Sequence, residues 1–143
     1  MKKFRILILL ATVLLSCSSK EKHDEEFGDW KELDAFHKTM AKAYHPLKDS
    51  GNLDPTKQLI NQLADEAEKW SSASLPDKVN TPAVKEKLQK LKTDAGALQN
   101  AIRDGASDDQ IKERMIKLHD LFHEVMEAWM GKGEKHHEKK HED

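Results

Sequence analysis

A single cysteine, Cys17, stands among the 143 residues. That excludes an internal disulfide, an all-cysteine zinc site and covalent haem attachment through Cys-x-x-Cys-His. The six glycines, four prolines and 6% aromatics disfavour a sandwich or barrel, which needs many turns and many β-branched or aromatic positions. Neither sign of charge dominates: 24 basic and 26 acidic residues leave a net −2. No nucleic-acid partner is expected, because such binders carry a basic excess. A Ser–His–Asp pattern, an HExxH helix and a glycine-rich phosphate loop are missing too, so the chain is not expected to be an enzyme. What it does have is charge, on 35% of its residues, interleaved with apolar positions at helical spacing. The length suits one domain.

The first residues read as an address. Lys2, Lys3 and Arg5 precede the uncharged run from Ile6 to Leu15, and Ser16 and Cys17 close it. The run is too short for a comfortable membrane span, and its order of basic, apolar and small residues is that of a signal peptide over 1–16. Leu14-Leu15-Ser16-Cys17 resembles the bacterial lipobox. The resemblance implies cleavage before Cys17, a diacylglycerol on its sulfur and an acyl group on its amine, making the membrane a partner. Ser18, rather than Asp, follows the cysteine, which by the same resemblance points to the outer membrane of a cell envelope rather than the inner one. Loss of Lys2, Lys3 and Arg5 would leave 21 basic against 26 acidic residues, a net −5. Residues 17–29 are polar and charged and read as a tether. The run from Lys20 to Glu26 resembles the charged surface-export signals that follow some lipidated cysteines.

Residues 30–131 carry four periodic segments. In the first, Trp30, Leu33, His37, Met40, Tyr44 and Leu47 form a stripe, with Asp29 as a candidate N-cap and Pro46 expected to end or kink the helix. The second opens with Asp54 as cap and Pro55 in the first position, and continues through Leu59, Ile60, Leu63, Ala67 and Trp70. After a longer loop, Thr81-Pro82 starts the third, whose stripe is Val84, Leu88, Leu91, Ala95, Leu98 and Ile102, ended by Gly105. Ser107 opens the fourth, which runs through Ile111, Met115, Leu118, Phe122, Val125 and Trp129 to Gly131. No stripe is stable alone in water, and together they predict an all-α, antiparallel up-down-up-down four-helix bundle. Residues 132–143 form a His/Lys/Glu-rich tail with no apolar side chain.

Of the eight histidines, four fall on the first and fourth helices and none on the second and third. His37 sits within the first stripe. A buried imidazole must hydrogen-bond or bind something, since an unsatisfied polar group costs about 1–3 kcal/mol. His119 and His123 stand at i and i+4 and point the same way, beside the Leu118 and Phe122 stripe, with Met126 and Met130 continuing their line. Matching Trp30 with Met130 across antiparallel neighbours brings His37 level with His123, and Met40 level with His119 or Asp120. His37, Met40, His119 and His123 then converge within about one turn. His45 lies about 12 Å along the axis from His37 and approaches His119 only if the register slips by a turn. His37, His119 and His123, with an optional thioether or the Glu127 carboxylate, suit a transition metal ion: Zn, Cu or Ni. The tail residues His136, His137 and His141 are a second, weaker metal-capturing tract. The bland alternative is that these histidines are structural and the tail merely solvated.

In its helix lengths, its long second connection and the Phe122-His123 pair on the fourth helix, the chain is similar to the periplasmic four-helix cytochromes of the b and c-prime types. The resemblance to the b-type members implies non-covalent haem b, with Met40 (or His37) and His123 as axial ligands. His119 has no role in that scheme. The expectation is thus a lipid-anchored envelope protein that binds a transition metal or haem between helices one and four, for sequestration, delivery, sensing or electron transfer. The alternative is a cofactor-free interaction or structural module; the sequence names no protein partner for either.

Overall fold

Four helices follow one another in the computed structural model, which describes residues 28–131: α1 (Lys31–Ser50), α2 (Asp54–Ser72), α3 (Pro82–Arg103) and α4 (Asp108–Met130), with a short 3-10 turn at Asp77–Val79 between α2 and α3. No strand occurs among the described residues. The signal peptide, Cys17, most of the tether and the tail histidines lie outside them.

Local chemistry sets most of the boundaries. Thr81 caps α3, its hydroxyl accepting the Val84 N–H at 3.3 Å, with Pro82 next in line. Ser107 and Gln110 close a reciprocal capping box at the start of α4. Two expected caps are displaced. Trp30 rather than Asp29 occupies the N-cap position of α1, without a side-chain cap bond. At α2 Leu53 rather than Asp54 stands at the N-cap position, without a side-chain cap bond, and the Asn52 Oδ1 accepts the Asp54 N–H at 3.0 Å.

Pro46 does not end α1, which runs on to Ser50. Proline removes the donor that would serve the carbonyl four residues back and crowds that turn. One residue beyond that carbonyl the neighbouring helix makes a bond of its own: the fully buried Thr56 hydroxyl donates to the Ala43 carbonyl at 2.9 Å. Beyond the proline, the Ser50 hydroxyl and the Asn52 N–H both donate to the Pro46 carbonyl. Gly51, at φ +72°, turns the chain out of the helix while its N–H reaches Leu47 O.

Cross-helix bonds show successive helices running antiparallel. Thr39 meets Glu66 and Ala43 meets Thr56 between α1 and α2. Ser71, Glu68 and Asn61 meet Gln89, Lys92 and Gln99 in turn between α2 and α3. α4 returns beside α1, with Trp30 against Trp129 and Phe36 against Phe122. The stripes of α2, α3 and α4 line one continuous core, and the whole predicted α3 stripe except the half-buried Ile102 is buried. In α1 the buried set is Leu33, Phe36, Met40, Ala43 and Leu47, with Thr39 beside them. Phe36 takes the inward position expected for His37, which is half-buried on the flank. The backbones of α1 and α4 approach each other less than those of the other adjacent pairs. Rings rather than small side chains fill this seam, and they hold the helices apart.

Candidate functional site

The seam between α1 and α4 collects all four helical histidines. α4 presents His119 and His123 one turn apart on its half-buried flank, next to buried Leu118 and Phe122. Their Nε2 atoms face each other at 3.1 Å, with the rings 4.4 Å apart and inclined at 65°. From α1, the Tyr44 ring stacks on His119 at a centroid distance of 3.7 Å and 19°. His37 stacks nearly parallel on Phe122 at 5.7 Å, and His123 meets the same ring edge-on.

Electrostatics single out His119. Burial, reinforced by the positive charge His123 would carry, pushes its pKa down from 6.5 to about 4. The neighbouring Asp120 carboxylate opposes this, and His45 adds to it. His119 is therefore neutral through the whole neutral range, with one ring nitrogen carrying a lone pair. Its Nδ1 is buried and has no partner at hydrogen-bond distance; Asp120 Oδ1 lies 3.7 Å away.

Of the expected ligands, the structure brings His119 and His123 together. It does not assemble the larger site: among the described residues, no three His, Cys, Asp or Glu side chains converge in a group that would hold a metal ion. Met40 is 1% exposed and packed in the core with Leu33 and Phe36. Met126 is half-buried, while Met130 and Glu127 are exposed. One feature of the site is not evident from the sequence, Tyr44 as a stacking partner of His119. It follows from the lean of helical side chains toward their own N-terminus. Tyr44 thereby covers the turn before it, which lies opposite His119 when Trp30 is opposite Trp129.

Elsewhere, a groove of about 510 Å³ between α3 and α4 is lined by charges of both signs. Several are already satisfied locally, Lys90 by Asp94 and Lys117 by Glu113. At the end of the bundle where α1 begins, Trp30, Trp70 and Trp129 cluster, and Lys78 Nζ sits 3.7 Å over the Trp129 ring. No described helix is long and apolar enough to cross a membrane.

The chain matches no protein-family model, no curated protein and no solved structure. What stands of the likeness to the four-helix cytochromes is the architecture: an all-α bundle of four helices. Architecture alone does not carry a function.

Proposed function

We propose that this chain is a non-catalytic helical module held at a cell envelope, on the outer membrane, by a lipid on Cys17. There the bundle serves as a structural or protein-interaction unit that needs no prosthetic group to fold. The observation that carries this reading is the closure of the core between α1 and α4. A haem b ligated by Met40 and His123 would need the space that Phe36, Phe122 and Trp70 occupy, with ring centroids 5.4 to 6.4 Å apart. Intercalating a porphyrin would separate these rings and strip the burial they provide, which is worth about 1.5–3 kcal/mol for each fully buried large side chain. The four-residue lipobox and the charged segment behind it support the anchor.

Two measurements test the reading. Protein purified with a strong chelator, and showing no haem absorption, should be mostly helical and melt in one cooperative transition. A chain that is unfolded until haem or metal is added would refute it. Metabolic labelling with a fatty acid should mark the wild type and not Cys17→Ala; equal label on both would remove the anchor from the proposal.

A further inference from the structure

Several polar groups along the seams are answered by the fold, although the buried Trp30 and Trp70 indole N–H groups are not. Thr39, Gln62 and Glu66 bond one another between α1 and α2, and Thr56 bonds the Ala43 carbonyl. The imidazole pair on α4 is different. Two Nε2 atoms, each of which carries a lone pair or a proton, are held face to face at 3.1 Å. An ion bonded to two imidazoles at about 2.05 Å separates their nitrogens by about 2.9 Å at a right angle and about 3.3 Å at the tetrahedral angle. The observed spacing falls between these limits.

We propose that His119 and His123 chelate a first-row divalent ion of the Zn²⁺, Ni²⁺ or Cu²⁺ class through their Nε2 atoms, with water in the remaining positions. Two further contacts fit the same arrangement. The Tyr44 ring clamps the face of His119, so the ligand is oriented before the ion arrives. With Nε2 on the metal, the ring proton of His119 sits on Nδ1, the atom that has the Asp120 carboxylate 3.7 Å away. At that distance the carboxylate favours this tautomer by its charge and not by a hydrogen bond. The competing arrangement is a ring-to-ring N–H···N bond, in which His119 Nε2 accepts from His123 and its own proton again sits on Nδ1; 3.1 Å fits that bond as well, and titration with the ion separates the two. The intrinsic order of affinities places Cu²⁺ tightest. The site displaces no core side chain, so the bundle is the same loaded or empty, and the inference is independent of the cofactor-free fold proposed above. With only two protein ligands, the ion is exchangeable, as suits a capture or hand-over site rather than a structural one.

The test uses the complete chain in detergent, carrying H23Q, H136Q, H137Q and H141Q to silence the histidines outside the bundle. Calorimetric titration with ZnCl₂ should give one saturable site per chain, and saturation should raise the melting temperature. His119→Gln and His123→Gln should each weaken binding by at least about tenfold, because even loss of an outer-shell partner costs about 10–100-fold. His37→Gln should change it by less than about twofold, since its partner ring is Phe122. A footprint on the parent chain needs no ligand variant: Zn²⁺ should protect His119 and His123, and not His37 or His45, from acylation by diethyl pyrocarbonate. Absence of saturable binding, unchanged affinity in both α4 variants, abolition by His37→Gln, or protection of other histidines would each overturn the proposal.

Discussion

Acidification of the metal-free protein tests the reading of His119 most directly. Its folded pKa is about 4 against 6.5 for the free side chain. Between these values the unfolded chain binds a proton that the folded chain refuses. The contribution of His119 to stability is therefore fully present above about pH 6.5 and falls as pH drops toward 4. Each pH unit crossed between the two values removes about 1.4 kcal/mol, so the loss is about 2 kcal/mol by pH 5 and about 3 kcal/mol by pH 4. The side chain is 19% exposed, and the charges of His123, His45 and Asp120 act on it, so these are magnitudes for the cluster and not for an isolated ring. Urea unfolding at pH 7.5 and pH 5, with chelator present, measures the loss. Ordinary carboxylates titrate below that interval and leave it to the histidines. His119→Gln should flatten the dependence by most of that amount. Equal pH slopes in the variant and the parent would refute both the burial of the ring and its lowered pKa.

Two further perturbations test the packing. Leu98→Ala removes a fully buried side chain of α3 and should cost about 2–5 kcal/mol in chemical denaturation; a loss under about 1 kcal/mol would place Leu98 outside the core. Thr56→Val keeps the shape but removes the hydroxyl that donates to Ala43 O beside Pro46, and should cost about 1–2 kcal/mol. In a Pro46→Ala background that cost should shrink if the hydroxyl supports the backbone where proline interrupts the ladder, and a double-mutant cycle measures the difference.

Where apolar residues recur without competitors, the sequence specifies the core. Leu88, Leu91, Ala95 and Leu98 in α3, and Met115, Leu118, Phe122 and Val125 in α4, are buried as their spacing requires. In α1 two adjacent residues competed for one position. Steps of three and of four both fit a period of 3.6, so Leu33 leads equally to Phe36 or His37. The phenylalanine wins because it buries more apolar area and no polar atom. That choice puts His37 on the flank, against the Phe122 ring, and no three-ligand group forms among the described residues, which leaves the α4 pair as the candidate. Of the two outcomes expected at Pro46, an end or a kink, the end does not occur: α1 runs on to Ser50, and Thr56 on the next helix bonds the Ala43 carbonyl nearby, a tertiary contact that no local pattern encodes. The bond from the Asp54 N–H to Asn52 was closer to legible, since Asn52 stands two residues before Asp54. The stack of Tyr44 on His119 needed the lean of both side chains as well as the register.

The seam between α1 and α4 joins the first helix to the last, so it closes the longest loop in the bundle, whereas each of the other three adjacent pairs is a helical hairpin local in sequence. Loop-closure entropy makes such a contact the last to form and the least costly to release on its own. Separating it breaks the stacks of Trp30 on Trp129 and Tyr44 on His119 while leaving every hairpin intact. The native ensemble thus has a preferred line of breathing, and amide exchange should be fastest, among buried positions, along the facing turns of these two helices. Breathing along this line lifts the Tyr44 ring from His119, which makes the seam a gate over the paired imidazoles. The rate of ion entry and exit would then follow the opening frequency of the bundle, and not the chemistry of the ligands alone.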